Sequence, residues 1–171
     1  MTGGGSTSSG KSHLPDLGLH GEGWVVGQVA LIGLVILLGL PGPRSIPPET
    51  FIGWVGLLVG AAALAVGAWL LIRGVADLGR SLSPMPRPRP DGRLIDTGIY
   101  ARLRHPIYAG MIVAAFGWSA LTGTLGALVA TLLLAVFLDA KARREEAWLL
   151  ERYDGYADYR TRSKRFLPGI Y

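Results

Sequence analysis

Apolar and polar positions fall in long blocks along this chain, and the block lengths carry the first information. The first apolar block, Trp24–Leu40, holds 17 residues before Pro41-Gly42-Pro43. At a helical rise it covers about 26 Å, the short end for a helix crossing a bilayer. A second block, Phe51–Ile72, has 22 residues without a charge and covers about 33 Å. The third, Ile107–Leu138, is 32 residues long, too long for one crossing, and Thr122-Gly123-Thr124 divides it. It reads as a helical hairpin whose members extend past the apolar core, Pro106 opening one and Lys141 following the other. The pattern predicts an all-α integral membrane protein with about four transmembrane helices, at 24–40, 51–72, 106–122 and 124–142.

Residues 1–23 are rich in Gly and Ser and show no apolar periodicity, so the reading is a largely disordered tail followed by one domain, 24–171. The tail lacks the basic-then-apolar order of a signal peptide. Charge sets the orientation. The connection Arg73–Arg104 carries seven arginines and the segment after Leu138 carries eight Lys/Arg residues, whereas the turn between the first two spans has only Arg44. Positive residues favour the cytoplasmic side, so segments 73–105 and 143–171 are both expected there, with the site facing the cytoplasm of what reads as a bacterial inner membrane.

Composition then narrows the chemistry. Half of the 171 residues are hydrophobic, 17% are charged, and the formal net charge is +5, a balance that suits a membrane protein with basic loops and not a nucleic-acid binder. With no cysteine, disulfides and thiolate chemistry are excluded. The histidines are His13, His20 and His105, two of them in the tail, which leaves no metal site to expect. Gly56, Gly60, Ala63 and Gly67 share one face of the second span, and Gly110, Ala114 and Gly117 share one of the third, as close helix packing requires.

Two stretches carry candidate chemistry. In Ser83–Tyr108, Pro84, Pro86, Pro88 and Pro90 alternate, favouring extended backbone, and Arg102, Arg104, His105, Pro106 and Tyr108 follow where the chain re-enters the bilayer. Pro106 suits a first helical turn, so His105 stands near a helix N-terminus, a seat for carboxylate or phosphate. Plain interfacial anchoring explains the arginines equally well. The second stretch, Asp139–Tyr153, continues the last span as a cytoplasmic helix bearing Glu145 and Glu146, which on spacing alone fit a solvated face as well as a site. Tyr153, Tyr156, Tyr159, Phe166 and Tyr171 then call for a surface to pack on, predicting a tail folded back as a cap over the hairpin. Neither a strand-borne G-x-G-x-x-G nor a phosphate-binding G-x-x-x-x-G-K-[ST] occurs.

The run TGIYARLRHPIYAGM, the apolar hairpin, and EEAWLLERYDGYADYRTRSKRFLP together resemble the isoprenylcysteine carboxyl methyltransferase family and its phospholipid methyltransferase relatives, over Arg93–Pro168. The resemblance implies an integral membrane enzyme that uses S-adenosylmethionine, releases S-adenosylhomocysteine and methylates a lipid or isoprenoid-like acceptor. It implies cofactor contacts from Tyr100, His105, Pro106, Tyr108 and Gly110, with Glu145 and Glu146 as ribose or amino-group ligands. Arg104, His105 and Glu146 are the expected catalytic groups, and Arg102, Arg104, Tyr156 and Tyr159 the expected acceptor contacts. A carboxylate acceptor needs no base, only an arginine to hold it; an amine or hydroxyl acceptor needs His105 or a glutamate to take a proton. The Gly/Ala faces are expected to frame a lateral opening for the acceptor. Two alternatives stay open, a phospholipid N-methyltransferase and a scaffold that binds anionic lipids. Oligomeric state is not legible.

Overall fold

A computed structural model of the chain describes residues 17–18, 21–40, 46–83, 85 and 92–166. Most of the tail, with His13 and His20, and the alternating prolines before Gly92 lie outside the described residues. The elements are α1 (Glu22–Gly39), α2 (Phe51–Leu78), α3 (Pro106–Thr122), α4 (Leu125–Arg152) and α5 (Tyr156–Arg162), with 3₁₀ turns at Gly79–Ser81 and Gly98–Ala101. Among the described residues there is no strand, and the architecture is all-helical. By length and composition α1, α2 and α4 are able to cross a membrane; α3, at 17 residues, is shorter.

The boundaries follow local chemistry. Thr50 caps α2, its Oγ1 accepting from the Gly53 amide at 3.0 Å, the usual way to satisfy one of the free amides of a first turn. Pro106 occupies the first turn of α3, where a missing N–H costs nothing. Gly123 ends the helix with φ 62°, a left-handed conformation that glycine adopts without a Cβ penalty. Helix α4 runs for 28 residues, about 42 Å at the helical rise. That exceeds a hydrocarbon core of about 30 Å, so its charged end, from Asp139 on, has room to project beyond it.

The α2–α3 pair is the most extensively packed, and glycine makes it possible. A Cβ added at Gly60 would meet the Gly117 carbonyl oxygen at 2.8 Å, one at Gly67 the Ala114 nitrogen at 2.7 Å, and one at Gly110 the Gly67 carbonyl oxygen at 2.8 Å. The small-residue faces are therefore consumed in this seam within the chain. They do not frame a lateral opening, because backbone already fills the space that an acceptor would need. The opposite face of α2 carries outward-facing Phe51, Trp54, Leu58, Trp69 and Ile72, an apolar surface larger than water tolerates and suited to lipid.

On the other side of α3, Ser119 Oγ and Thr131 Oγ1 hydrogen-bond at 3.0 Å in the buried α3–α4 contact. Helix α1 packs on α4 and α3: Trp24 meets the Phe137 ring at 5.3 Å, and Val35 joins Ala115, Ala130, Leu134 and Leu138 in one apolar core. Beyond α4 the chain turns back. Arg104 N donates to Lys164 O at 2.7 Å, His105 N to Arg165 O at 3.2 Å, and Lys164 N to Arg102 O at 2.9 Å, so the segment after α5 is clasped to the entry of α3. Tyr159 Oη donates to Tyr100 O at 2.8 Å, and Tyr100 Oη to Gly74 O at 3.1 Å. These bonds hold the cap on the ends of α2 and α3.

Candidate functional site

The clasp brings the two chemistry-bearing stretches together. His105 stands at the N-cap of α3 and is buried. Its Nε2 is 3.3 Å from Glu146 Oε1 and its Nδ1 is 3.7 Å from Glu145 Oε2, both on α4. One turn into α3, Tyr108 stacks on the His105 ring at 5.3 Å between centroids and 7° between planes, and Tyr108 Oη donates to Glu145 Oε2 at 2.9 Å. Two neighbouring glutamates thus meet one histidine from a single helix.

Their surroundings differ. Successive helical side chains point about 100° apart, so Glu145 and Glu146 cannot face the same space. The Glu146 side chain is 4% exposed and sits among cations. Arg104 Nε donates to its Oε1 at 3.0 Å, Arg165 Nε to the same oxygen at 3.0 Å, and Arg165 Nη2 to Oε2 at 3.0 Å. Arg165 also reaches Asp139 through Nη1 at 3.0 Å. Arg104 in turn donates through Nη1 to the carbonyls of Arg160 (3.1 Å) and Ser163. Burial alone would raise the Glu146 carboxyl, but the hydrogen bonds from His105, Arg165 and Arg104 outweigh it and hold it well below the usual carboxylate range.

Glu145, by contrast, lines a cavity of about 330 Å³ between the helix ends and the cap. That volume lies in the range of small-molecule sites. The α3 entry supplies Arg104, His105 and Tyr108 to its wall, and the cap supplies Tyr100, Tyr153, Tyr156 and Tyr159. The other expected contacts are placed elsewhere. Arg102 is exposed and Pro106 is buried, neither forming part of the wall. Gly110 faces α2, and Glu146 is enclosed by its arginines.

Two polar groups in this wall have unused capacity. Tyr156 is 1% exposed, and its hydroxyl is buried without a hydrogen-bond partner among the described residues; such a group is costly unless something else satisfies it. Arg104 Nη2 likewise has no partner among them. Three of the tyrosine hydroxyls are pushed toward the neutral form: burial raises Tyr100, with Glu145 adding to it, burial followed by Glu146 and Glu145 raises Tyr156, and burial raises Tyr159 from 10.0 to about 12. Aromatic faces, a carboxylate and a buried phenol in one wall suit a cation that carries amine or diol groups.

Sequence reasoning passed over several residues of this arrangement. Gln28 is the one polar residue in Trp24–Leu40, a signal in itself, since polar groups inside spans are costly and tend to be functional. Lys141 lies one turn before Glu145 on α4 and so shares its face; both Gln28 and Lys141 line the cavity. Arg165 comes from the irregular segment after α5, where spacing gives no clue to its partner.

Comparison with known proteins adds an independent line. The family model for phospholipid methyltransferase matches residues 55–155, more than half of the chain. A protein-S-isoprenylcysteine O-methyltransferase from Schizosaccharomyces pombe is 32% identical over 111 residues, covering 63% of this chain and 47% of the relative. The nickel-cobalt-cadmium resistance protein NccN of Alcaligenes xylosoxydans xylosoxydans is 32% identical over 120 residues (68% and 55%). The cobalt-zinc-cadmium resistance protein CzcN of Cupriavidus metallidurans is 28% identical over 115 residues (61% and 53%). The chain spans about half the length of these curated relatives.

Proposed function

The chain belongs to the phospholipid methyltransferase family, and from that premise we propose that it transfers a methyl group from S-adenosylmethionine to an amphiphilic acceptor held at the membrane boundary. The observation that carries this reading is the cavity where His105, Tyr108 and Glu145 meet under a tyrosine cap, with the Tyr156 hydroxyl buried and unsatisfied in its wall. S-adenosylmethionine supplies an electrophilic methyl on a sulfonium centre. The residues present fit such a donor: Glu145 and Tyr156 for its amine or diol groups, and the rings of Tyr100, Tyr108 and Tyr153 for a cation.

In this reading the protein's own contribution is positioning and the exclusion of water. Glu146 holds Arg104 and His105 in place and touches no ligand. His105 fixes the orientation of Glu145 and supports the Tyr108 ring. Arg104, with Nη2 open, is a seat for one carboxylate, of the acceptor or of the donor's amino-acid end. Lipid or isoprenoid-like carboxylates are the favoured acceptors, with phospholipid amines as the alternative; an amine acceptor needs a base, and His105 or Glu145 stands where one is required. In this reading the site faces the cytoplasm, which the basic segments on either side of the hairpin support, since positive residues favour that side.

A thermal-shift assay of the purified full chain tests donor binding, since a ligand that binds only the folded state must raise stability. S-adenosylmethionine and its demethylated product are expected to stabilise it, and His105→Ala to weaken donor binding at least tenfold by calorimetry with the fold retained. Labelled donor incubated with a total lipid extract then identifies the acceptor. Absence of any donor-dependent shift in the parent protein overturns the reading.

A further inference from the structure

The tyrosines that line the cavity are not equivalent. Tyr108 stacks on His105 and holds the Lys141 ammonium 5.2 Å from its ring centroid. Tyr153 carries the Arg152 guanidinium over its ring at 5.7 Å, and Tyr156 and Tyr159 pack edge to face at 5.6 Å. Tyr100 differs: among the described residues its ring meets neither another ring nor a cation. Its hydroxyl is engaged by the Gly74 carbonyl, so what it offers the cavity is the ring.

That ring is held from outside the wall. Tyr100 sits in the turn Gly98–Ala101, whose own N-cap residue, Thr97, makes no side-chain cap bond. Asp77, in the last turn of α2, supplies the bond instead. Its Oδ2 accepts from the Ile99 amide at 2.8 Å, the service that an N-cap side chain ordinarily gives a first turn, and its Oδ1 meets Arg73 Nη2 at 3.2 Å. Gly98 lets the carboxylate come this close. Its φ is 60°, and an added Cβ would stand 2.3 Å from Asp77 Oδ2, so conformation and clearance both favour glycine. Asp77 itself forms no part of the cavity wall.

We propose that Asp77 is a positioning residue for the donor site: from α2 it caps the turn that carries Tyr100, and so sets that open ring as the partner for the positive charge of the methyl donor. The inference rests on the methyltransferase reading above and assigns the donor's charge to one ring of the wall. An aromatic face attracts a sulfonium, whereas the thioether left after methyl transfer carries no such charge. A ring held in place therefore favours the donor over its product.

Calorimetry on the full chain in dodecyl maltoside tests this, with S-adenosylmethionine and S-adenosylhomocysteine as paired probes. The two share their adenosine and amino-acid ends and differ in charge at sulfur. Asp77→Ala should weaken S-adenosylmethionine about fivefold, the size of a cation–π contact, and S-adenosylhomocysteine less than about twofold. Asp77→Asn keeps an acceptor oxygen for Ile99 and should restore the parent's affinity ratio, although it gives up the Arg73 pair. Gly98→Ala displaces the carboxylate from the opposite side and should reproduce Asp77→Ala, which covers the case in which the latter fails to fold. In a Tyr100→Leu background Asp77→Ala should move the ratio no further, because a residue acting through another does not add to it. Equal weakening of both ligands, or a ratio unmoved in Asp77→Ala and Gly98→Ala while the parent binds both ligands, overturns the proposal alone. So does a further loss of the ratio in the Tyr100→Leu background, or an Asp77→Asn variant that behaves like Asp77→Ala and so assigns the effect to the Arg73 pair. A parent that binds neither ligand overturns the methyltransferase reading and this inference with it.

Discussion

The α2–α3 seam and the Glu146 cluster hold the same molecule together by opposite means. In the seam, Gly60, Gly67, Gly110 and Gly117 bring two backbones into contact without a charge between them. In the cluster, Arg104, His105 and Arg165 converge on one buried carboxylate. The seam depends on shape alone and tolerates no added atom. The cluster depends on pairing, and removal of one member exposes the others to the cost of an unpaired buried charge. Lipid-facing helices favour the first solution, because apolar tails provide no hydrophobic drive between helices. The cap, where helices end and backbone groups come free, favours the second.

Substitutions sharpen this contrast. Glu146→Ala is expected to have the largest effect, a loss of about 4 kcal/mol, since Arg104 would keep its burial and lose its counter-charge, and Arg165 would keep Asp139 and lose its bidentate partner; chemical unfolding in detergent measures it. Gly67→Val comes next, at about 2–3 kcal/mol, because the new Cβ meets backbone atoms of α3 that cannot turn aside. Midpoint shifts in thermal unfolding of the two variants should add, as the sites share no partner.

The pH dependence separates the regions further, because the seam has nothing to titrate. Glu146 is depressed below the usual carboxylate range, so its contribution is present above that range and is lost as pH falls through the lower folded value. The buried tyrosines act on the alkaline side. Tyr159 rises from 10.0 to about 12, so its contribution is complete below pH 10.0 and disappears as pH climbs through about 12, with Tyr100 and Tyr156 shifted in the same direction. Unfolding midpoints taken across pH should therefore fall at both extremes, and Tyr159→Phe should flatten the alkaline limb.

Smaller effects mark the boundary of the cluster. Tyr156→Phe removes a hydroxyl that no described residue satisfies, so the free protein should gain about 1 kcal/mol, while the stabilisation by S-adenosylmethionine in the thermal-shift assay shrinks. Arg162→Ala breaks an exposed pair with Asp96 (62% and 38% exposed side chains) and should cost no more than about 0.5 kcal/mol in the same unfolding assay.

Much of this architecture was legible in the sequence. Block lengths and the Thr122-Gly123-Thr124 interruption placed the helices, and the RHPIY and EE elements pointed to residues that the fold brings within a few ångströms of each other. The division of labour between Glu145 and Glu146 was not legible, because beyond the apolar core charges surround α4 and no periodicity reveals which face is covered. The covering comes from Arg165, in a segment without regular structure. The small-residue faces were read correctly as packing surfaces, but an opening was also expected of them, which the backbone contacts forbid. Lys141 and Gln28 carried a readable signal, a polar group in an apolar run and a shared helical face, that gained meaning only when α1 was placed beside α4.

The clasp between Arg102–His105 and Lys164–Arg165 has a consequence for biogenesis. Both glutamates and the histidine precede Arg165 in the chain, so the carboxylate of Glu146 acquires its full set of cations only after that residue is made and the segment beyond α5 folds back. Synthesis of the helices thus precedes completion of the Glu146 cluster, which waits for a residue beyond all five of them.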